Sequence, residues 1–242
     1  MSTKKRIIAM IPARIGSKRI YKKNLRLIDG KPLITYIIEI LKEIDIFDEI
    51  YLNADDLIFK EIADEYNIMF YHRDKIYATD KSTNDEFALD FINNINGDIL
   101  IQILPTSPLI KVSDIEEFVK YMLKNNLETL ISVEHKQIAS LYQENCLNFD
   151  KYKKNPPSQE MIPVKAYATV LMGWEYNSFK ENMKKYDCAY HGGDSKTDYF
   201  KLDGLSTIDI DNEEDFLLAE SIIVSKKYIK SNQIKFYTSK LS

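Results

Sequence analysis

Arg6-Ile7-Ile8-Ala9-Met10-Ile11-Pro12 runs without a break into Ala13-Arg14-Ile15-Gly16-Ser17-Lys18-Arg19-Ile20-Tyr21-Lys22-Lys23-Asn24-Leu25-Arg26. The first half reads as a short buried strand. The second half is a loop with six basic residues and no acidic one, in a chain whose formal net charge is −4. A cationic loop at the carboxyl end of a first strand is a natural place to hold a polyphosphate. Gly16 and Ser17 let backbone N–H groups turn toward a phosphate. Arg14, Lys18 and Lys23 supply charge for a triphosphate and for a pyrophosphate leaving group. Neither the Walker A pattern nor the dinucleotide fingerprint is present. On charge alone, an ordinary solvated basic loop remains open as the alternative.

The same strand-then-loop rhythm continues outward. Strand-like runs are Ile7–Ile11, Ile50–Asn53, Ile99–Leu104, Thr129–Val133 and Ala166–Met172. Helix-like segments lie between them at Pro32–Leu41, Leu57–Tyr66, Asn84–Ile95 and Ser113–Asn125, the last opening with a capping-box pattern at Ser113. Such alternation predicts an α/β fold, a mainly parallel sheet flanked by helices on both faces. Ligands then sit outside the carboxyl ends of the strands, in the loops after Pro12, Asn53 and Leu104. Glu134 to Lys165 breaks the rhythm: it is polar and contains Asn155-Pro156-Pro157-Ser158. It reads as a flexible excursion, a substrate lid or an oligomerisation arm. The expectation is one domain over residues 1–242 with an insertion at about 135–165.

Bulk properties limit the function classes. The chain has 242 residues and is 45% hydrophobic, enough for a full core and too much for a disordered chain. Its acidic balance gives no general reason to bind nucleic acid or an anionic membrane. No run is long enough for a transmembrane helix, and no cleavable leader is evident. Cys146 and Cys188 are far apart, which argues against a disulfide framework or structural zinc and fits a reducing cytoplasm.

Further constellations carry chemistry. In Ile208-Asp209-Ile210-Asp211, residues two apart on a strand share a face, so Asp209 and Asp211 present paired carboxylates. Hard oxygens in pairs suit Mg²⁺. Asp211-x-x-Glu214 also has the form of a helix cap, so both roles are open. Leu104-Pro105-Thr106-Ser107-Pro108-Leu109 ends a strand in a turn stiffened by two prolines, suited to a substrate wall or to a plain connector. Arg73 can serve a phosphate or a base, and Ser82 and Thr83 can touch phosphate or cap a helix. Asp55 and Asp56 offer another metal ligand or a cap. His191-Gly192-Gly193-Asp194 reads as a flexible turn in which His191 can meet a substrate. No Ser-His-Asp or Cys-His arrangement is evident.

Together these segments resemble the acylneuraminate cytidylyltransferase family. The opening Ile11-Pro12-Ala13-Arg14-Ile15-Gly16-Ser17-Lys18 with Lys23-Asn24, the Pro105-Thr106-Ser107-Pro108-Leu109 turn, and Ile208-Asp209-Ile210-Asp211 with Glu214-Asp215 match its motifs in order and spacing over roughly residues 5–225. The resemblance implies a Rossmann-like fold with a dimerisation insertion, a homodimer, CTP and Mg²⁺ as requirements, and a sialic-acid-like 2-keto sugar acid as acceptor. It places Ala13, Arg14, Ser17, Lys18, Asn24, Arg73 and Ser82 at the nucleotide and Asp209 and Asp211 at the metal. Lys23, with Arg14 and Asp211, would act on the transferring phosphoryl group. Leu104, Thr106, Ser107, Lys165 and His191 would face the acceptor. Several positions depart from the pattern: the second signature glycine is Ile15, the pocket glutamine is Leu104, and the arginine after the turn is Ile110. The R-P-N-G-A motif is weakly matched near Val164–Ala168, where Lys165 is the available cation. A polar pocket rejects analogues lacking its matching groups by roughly 10⁴-fold, so these changes predict an acceptor other than ordinary N-acetylneuraminate. A 3-deoxy-octulosonate or other small-acid cytidylyltransferase and a catalytically silent nucleotide-binding subunit are the alternatives.

Overall fold

Alternation along β1 (Ile7–Pro12) divides the core in two. In the computed structural model, which describes residues 4–228, Ile7, Ala9 and Ile11 join one apolar cluster, and Ile8 and Met10 join another. That is the two-residue period of a strand with both faces covered. Residues 1–3 and 229–242 of the expected single domain lie outside the described residues.

The other principal strands are β2 (Glu49–Ala54), β3 (Met69–His72), β4 (Ile99–Ile103), β5 (Thr129–Lys136), β6 (Val164–Glu175) and β7 (Thr197–Leu202). They form one seven-stranded sheet in the order β7-β5-β6-β4-β1-β2-β3. β1 is parallel to β2 and β4, β2 to β3, and β5 to β7; β6 alone is reversed, antiparallel to β4 and β5. Helices α1 (Leu33–Lys42), α2 (Ile58–Tyr66) and α4 (Val112–Lys124) pack on one face through Ile37, Phe59 and Phe118. Helices α3 (Asn84–Asn94) and α5 (Tyr176–Tyr186) pack on the other through Phe91 and Phe179. The expected Rossmann-like, mainly parallel α/β sheet is therefore present.

From β1 the chain moves out to β2 and β3, then returns past β1 to β4. The connections leaving β1 and β4 thus diverge and open a crevice at their carboxyl ends, the topological switch point of such a sheet. A third cluster sits there: Phe216 and Ala219 of α6 (Glu213–Tyr228) pack with Ile20, Ile28, Leu109 and Ile210.

Several elements differ from the sequence expectation. β3, α5 and β7 lie outside the strand-like and helix-like runs that the sequence pattern shows. α5 is strongly polar and buries only Tyr176, Phe179 and Asn182, and β7 is a half-exposed edge strand, so neither shows a strong apolar pattern. α4 begins at Val112, and the Lys111 N–H donates to Asp114, so Ser113 lies inside the helix and does not cap it. His135, Lys136, Val164 and Lys165 are paired in the β5–β6 ladder, which narrows the insertion to residues 137–163. Inside it, Leu141–Tyr142 pairs with Asn145–Cys146 in a short hairpin. Cys146 and Cys188 are both free.

β6 is bent between Tyr167 and Met172, and there Thr169 takes a φ of 55°. The left-handed region costs a β-branched residue about 1–2 kcal/mol. The bend lies beside the crevice, because the Leu104 N–H donates to the Val170 carbonyl at 3.0 Å. Thr169→Gly is expected to raise the unfolding free energy by about 1 kcal/mol at unchanged m-value in urea. A net loss would mean that the bond from Thr169 Oγ1 to the Ala168 carbonyl, 2.8 Å long, outweighs the backbone strain.

Candidate active site

The basic loop is anchored, not solvated. Ile20 is 1% exposed and packs with Ile210 and Phe216, and Asn24 is also buried. Asp55 accepts from the Ile15 N–H at 3.0 Å, so it braces the loop. Lys22, at φ 48°, opens a single 3-10 turn over Lys23–Leu25, and its carbonyl accepts from the Leu25 and Arg26 N–H groups. This turn faces Lys23 inward. The Lys23 ammonium donates to the Ile210 carbonyl and lies 3.6 Å from Asp211 Oδ1. Burial pushes its amine below the ordinary lysine value, and the charges of Asp209 and Asp211 oppose that shift.

The loop forms one wall of a cleft of about 540 Å³ at the switch point. Of its six cations, Arg14, Lys18, Arg19 and Lys23 line the cleft, together with Ala13, Ser17 and Asn24. Lys22 lies outside the lining, and so does Arg26, which pairs with Glu213 and stacks on Phe216. Asp209 and Asp211 line the cleft beside the loop, Asp211 in contact with Arg19 and Lys23, and Leu104, Thr106 and Arg73 also line the space.

Asp209 and Asp211 lie on an extended segment outside the sheet, which corrects the strand assignment and keeps its alternation: Ile210 is fully buried between the two acids. The Ile210 N–H donates to the Thr106 carbonyl at 2.9 Å. The proline-flanked turn therefore positions the carboxylate pair. Burial raises the Asp209 carboxyl above the usual range; a hydrogen bond from the Thr106 side chain opposes this, and the charge of Asp211 adds to it. Asp209 Oδ1 is buried and has no protein partner. Asp211 accepts from Arg19 at 2.8 Å. Asn212, one residue further on, caps α6: its Oδ1 accepts from the Glu214 and Asp215 N–H groups, while Asp215 accepts from the Asp211 and Asn212 N–H groups. The cap is thus offset by one residue from the Asp211-x-x-Glu214 pattern, and the Asp211 side chain is left to the cleft.

Arg73 is 4% exposed, and burial lowers its guanidinium to about 10, so it stays cationic at neutral pH. It donates to the Ala13 carbonyl and lies 4.8 Å from the Phe87 ring centre. A side recess of about 250 Å³ opens here, lined by Arg73, Tyr77, Ser82 and Phe87 among others. The Ser82 hydroxyl donates to the Ile76 carbonyl, so it holds the turn together, while Thr83 caps α3 in a capping box with Glu86. Asp56 accepts from the Ile58 N–H at the start of α2, which is a capping role.

Three expected acceptor residues stand away from the main cleft. Ser107 is buried behind the turn, its hydroxyl unpartnered. Lys165 and His191 are outside the cleft lining but share an aromatic platform: the Lys165 ammonium lies 5.7 Å from the Tyr199 ring, and His191 Nδ1 is 3.3 Å from the Tyr167 hydroxyl. The His191 loop is braced, contrary to the flexible turn expected from its glycines. Asn182 donates to the Gly192 carbonyl and Ser195 Oγ, and Asp85 accepts from the Ala189 and Tyr190 N–H groups at 2.7 Å. Arg19, Asp80, Asn84 and Phe87 line the cleft without having been singled out as site residues. Arg19 was legible in the basic run, and Asp80 stands in the Asp80-Lys81-Ser82-Thr83 stretch read with Arg73; Asn84 and Phe87 carried no motif.

Fold and cleft define a doubly wound α/β protein whose binding crevice lies at the switch point. The chain belongs to the cytidylyltransferase family, whose profile matches residues 8–187. It is 28% identical over 237 residues to an N-acylneuraminate cytidylyltransferase of Escherichia coli O18:K1:H7, covering 90% of this chain and 52% of that protein. It is 33% identical over 121 residues to a CMP-N,N'-diacetyllegionaminic acid synthase of Legionella pneumophila, covering 48% of this chain and 52% of that one. The chain thus spans about half the length of the curated relatives it matches. A CMP:2-keto-3-deoxy-manno-octonic acid synthetase solved in complex with CTP shares the fold, with a TM-score of 0.69 at 15% identity over 91% of this chain and 99% of that one. No described helix is long and apolar enough to cross a membrane.

Proposed function

We propose that this chain is a CTP-dependent cytidylyltransferase that activates a 2-keto sugar acid of the sialic-acid-like class, giving the CMP-sugar and pyrophosphate. The observation that carries the reading is the cleft itself, a space of about 540 Å³ lined by four cations of one anchored loop and by the carboxylates Asp209 and Asp211. Nucleotidyl transfer needs alignment and charge neutralisation more than a covalent protein intermediate. The oxygen of the acid's anomeric hydroxyl attacks the α-phosphorus of CTP. The bond from that phosphorus to the bridging oxygen breaks, pyrophosphate leaves with the bond's electron pair, and the hydroxyl proton passes to solvent. Lys23 and Arg14 neutralise charge on the phosphates, with Ala13, Ser17, Lys18 and Asn24 along the same wall. The recess beside Arg73 and Ser82 takes the base.

The residues present fit Mg²⁺. Asp209 Oδ1 is a buried acceptor without a partner, and Asp209 and Asp211 bring two hard oxygen donors to one wall. Among the described residues no group of three or more His, Cys, Asp or Glu forms a fuller cage, which suits an ion that keeps most of its waters. When bound, the ion would neutralise phosphate charge. Leu104 and Thr106 bound the acceptor side, and Lys165, on the Tyr199 platform outside the cleft lining, is the cation this reading assigns to an acid's carboxylate. Ile138, Leu141, Tyr142 and Ile162 are exposed on the otherwise polar insertion, and these apolar side chains fit a second copy of the chain in a homodimer.

The test is a pyrophosphate-release screen that crosses four nucleoside triphosphates with a panel of 2-keto sugar acids, with and without Mg²⁺. Release should require CTP, the metal and one acid together, with a legionaminate- or pseudaminate-like acid preferred over N-acetylneuraminate. UTP or GTP outperforming CTP throughout would remove the cytidylyl assignment. A preference for 3-deoxy-octulosonate would move the chain to that branch.

A further inference from the structure

We propose that Asp80 is a competing counter-ion of the cleft: it occupies the Arg14 and Lys18 half of the basic wall in the free protein, yields to an entering polyphosphate, and so sets how tightly pyrophosphate is retained. The inference rests on the nucleotide reading above.

Asp80 lies on the short connection between the 3-10 turn Lys75–Ala78 and α3, and it lines the cleft. Its Oδ1 is 3.1 Å from Arg14 Nη1, and its Oδ2 meets the Lys18 ammonium. Arg14 also donates to the Thr79 carbonyl at 3.2 Å. The connection is ordered on both sides of the acid. Thr79 and Ser82 exchange hydrogen bonds across the turn, and Thr83 caps α3. The carboxylate is therefore delivered to the two cations by a fixed turn.

The pairs are poised to exchange. The side chains of Arg14, Lys18 and Asp80 are 39%, 78% and 45% exposed, so water and ions can replace each partner. The remaining cations of the wall, Arg19 and Lys23, face Asp211, which the reading assigns to the metal. Asp80 has no such assignment. A fixed negative charge among phosphate-binding cations lowers the affinity of any polyanion. Pyrophosphate carries most of the charge of the triphosphate it came from, so a wall that grips one also grips the other. A carboxylate that reclaims Arg14 and Lys18 favours departure of the product. Asp80 is in this sense a positioning residue for two cations and has no contact with reacting atoms.

The experiment is calorimetric titration of inorganic pyrophosphate and of CTP, without added divalent cation, into wild type, Asp80→Asn and Asp80→Glu at low and high salt. Asp80→Asn should bind pyrophosphate about tenfold more tightly at low salt, and the gap should shrink to roughly twofold at high salt. Asp80→Glu, which keeps the charge, should stay within about threefold of wild type. Equal or weaker binding by Asp80→Asn, or a gap that does not respond to salt, would overturn the inference while leaving the nucleotide reading in place. Failure of wild type to bind either pyrophosphate or CTP would overturn both.

Discussion

Lys23→Ala is expected to lower kcat for pyrophosphate release roughly 10²- to 10³-fold, with KM for CTP changed far less. The lysine is the most enclosed cation of the wall, with 13% of its side chain exposed. Its neighbours Ile210 and Asp211 hold the ammonium, so little reorganisation is needed when negative charge develops beside it. A donor fixed in a partly dry site stabilises a transition state more than a mobile surface lysine does, because it is already oriented and weakly screened. Circular dichroism of the variant should match wild type, since the loop is anchored separately by Ile20 and Asn24. A kcat within threefold of wild type would remove Lys23 from the chemistry.

Asp209→Asn and Asp211→Asn should each lower turnover on the order of 10³-fold if they hold the ion. Neither variant should lose much stability. Asp209 is buried, with its carboxyl pushed up by desolvation and one oxygen unpartnered, so replacing it by an uncharged amide should leave the melting temperature unchanged or higher. Asp211 is half exposed and pairs with Arg19, so its loss should change stability little. Added Mg²⁺ should raise the melting temperature of wild type, and the rise should vanish in Asp209→Asn. Full turnover in both variants, or an unchanged Mg²⁺ response, would end the metal assignment.

The parts of this chain that could be read from sequence share a physical trait: their information is local. β1 shows itself because six consecutive residues are apolar, or end in proline, before a basic run. α1 has a strong one-sided apolar pattern, burying Leu33, Ile34, Ile37, Ile38 and Leu41. By contrast, α5 hides behind polar composition because much of its anchoring is hydrogen bonding by Asn182, which has no periodic signature. Thr169 was unreadable because nothing in a threonine announces a left-handed backbone.

The site divides in the same way. Residue types and order determined the fold class through the alternation of strand and helix runs, and the cationic loop, the proline-flanked turn and the two carboxylates because each of these lies on one short contiguous stretch. Which of two roles each group takes was decided only by tertiary contacts. Asn212 took the cap and freed Asp211 from it; Asp55 took the Ile15 N–H and became a brace of the loop; burial of Ile20 turned a loop that could have been solvated into a fixed wall. Asp80, 66 residues from Arg14 in sequence, is paired with it only because the sheet brings the ends of β1 and β3 to one edge. Charge, chain order and periodicity are properties of the sequence; competition between partners for one hydrogen bond or one ion pair exists only once the chain has folded.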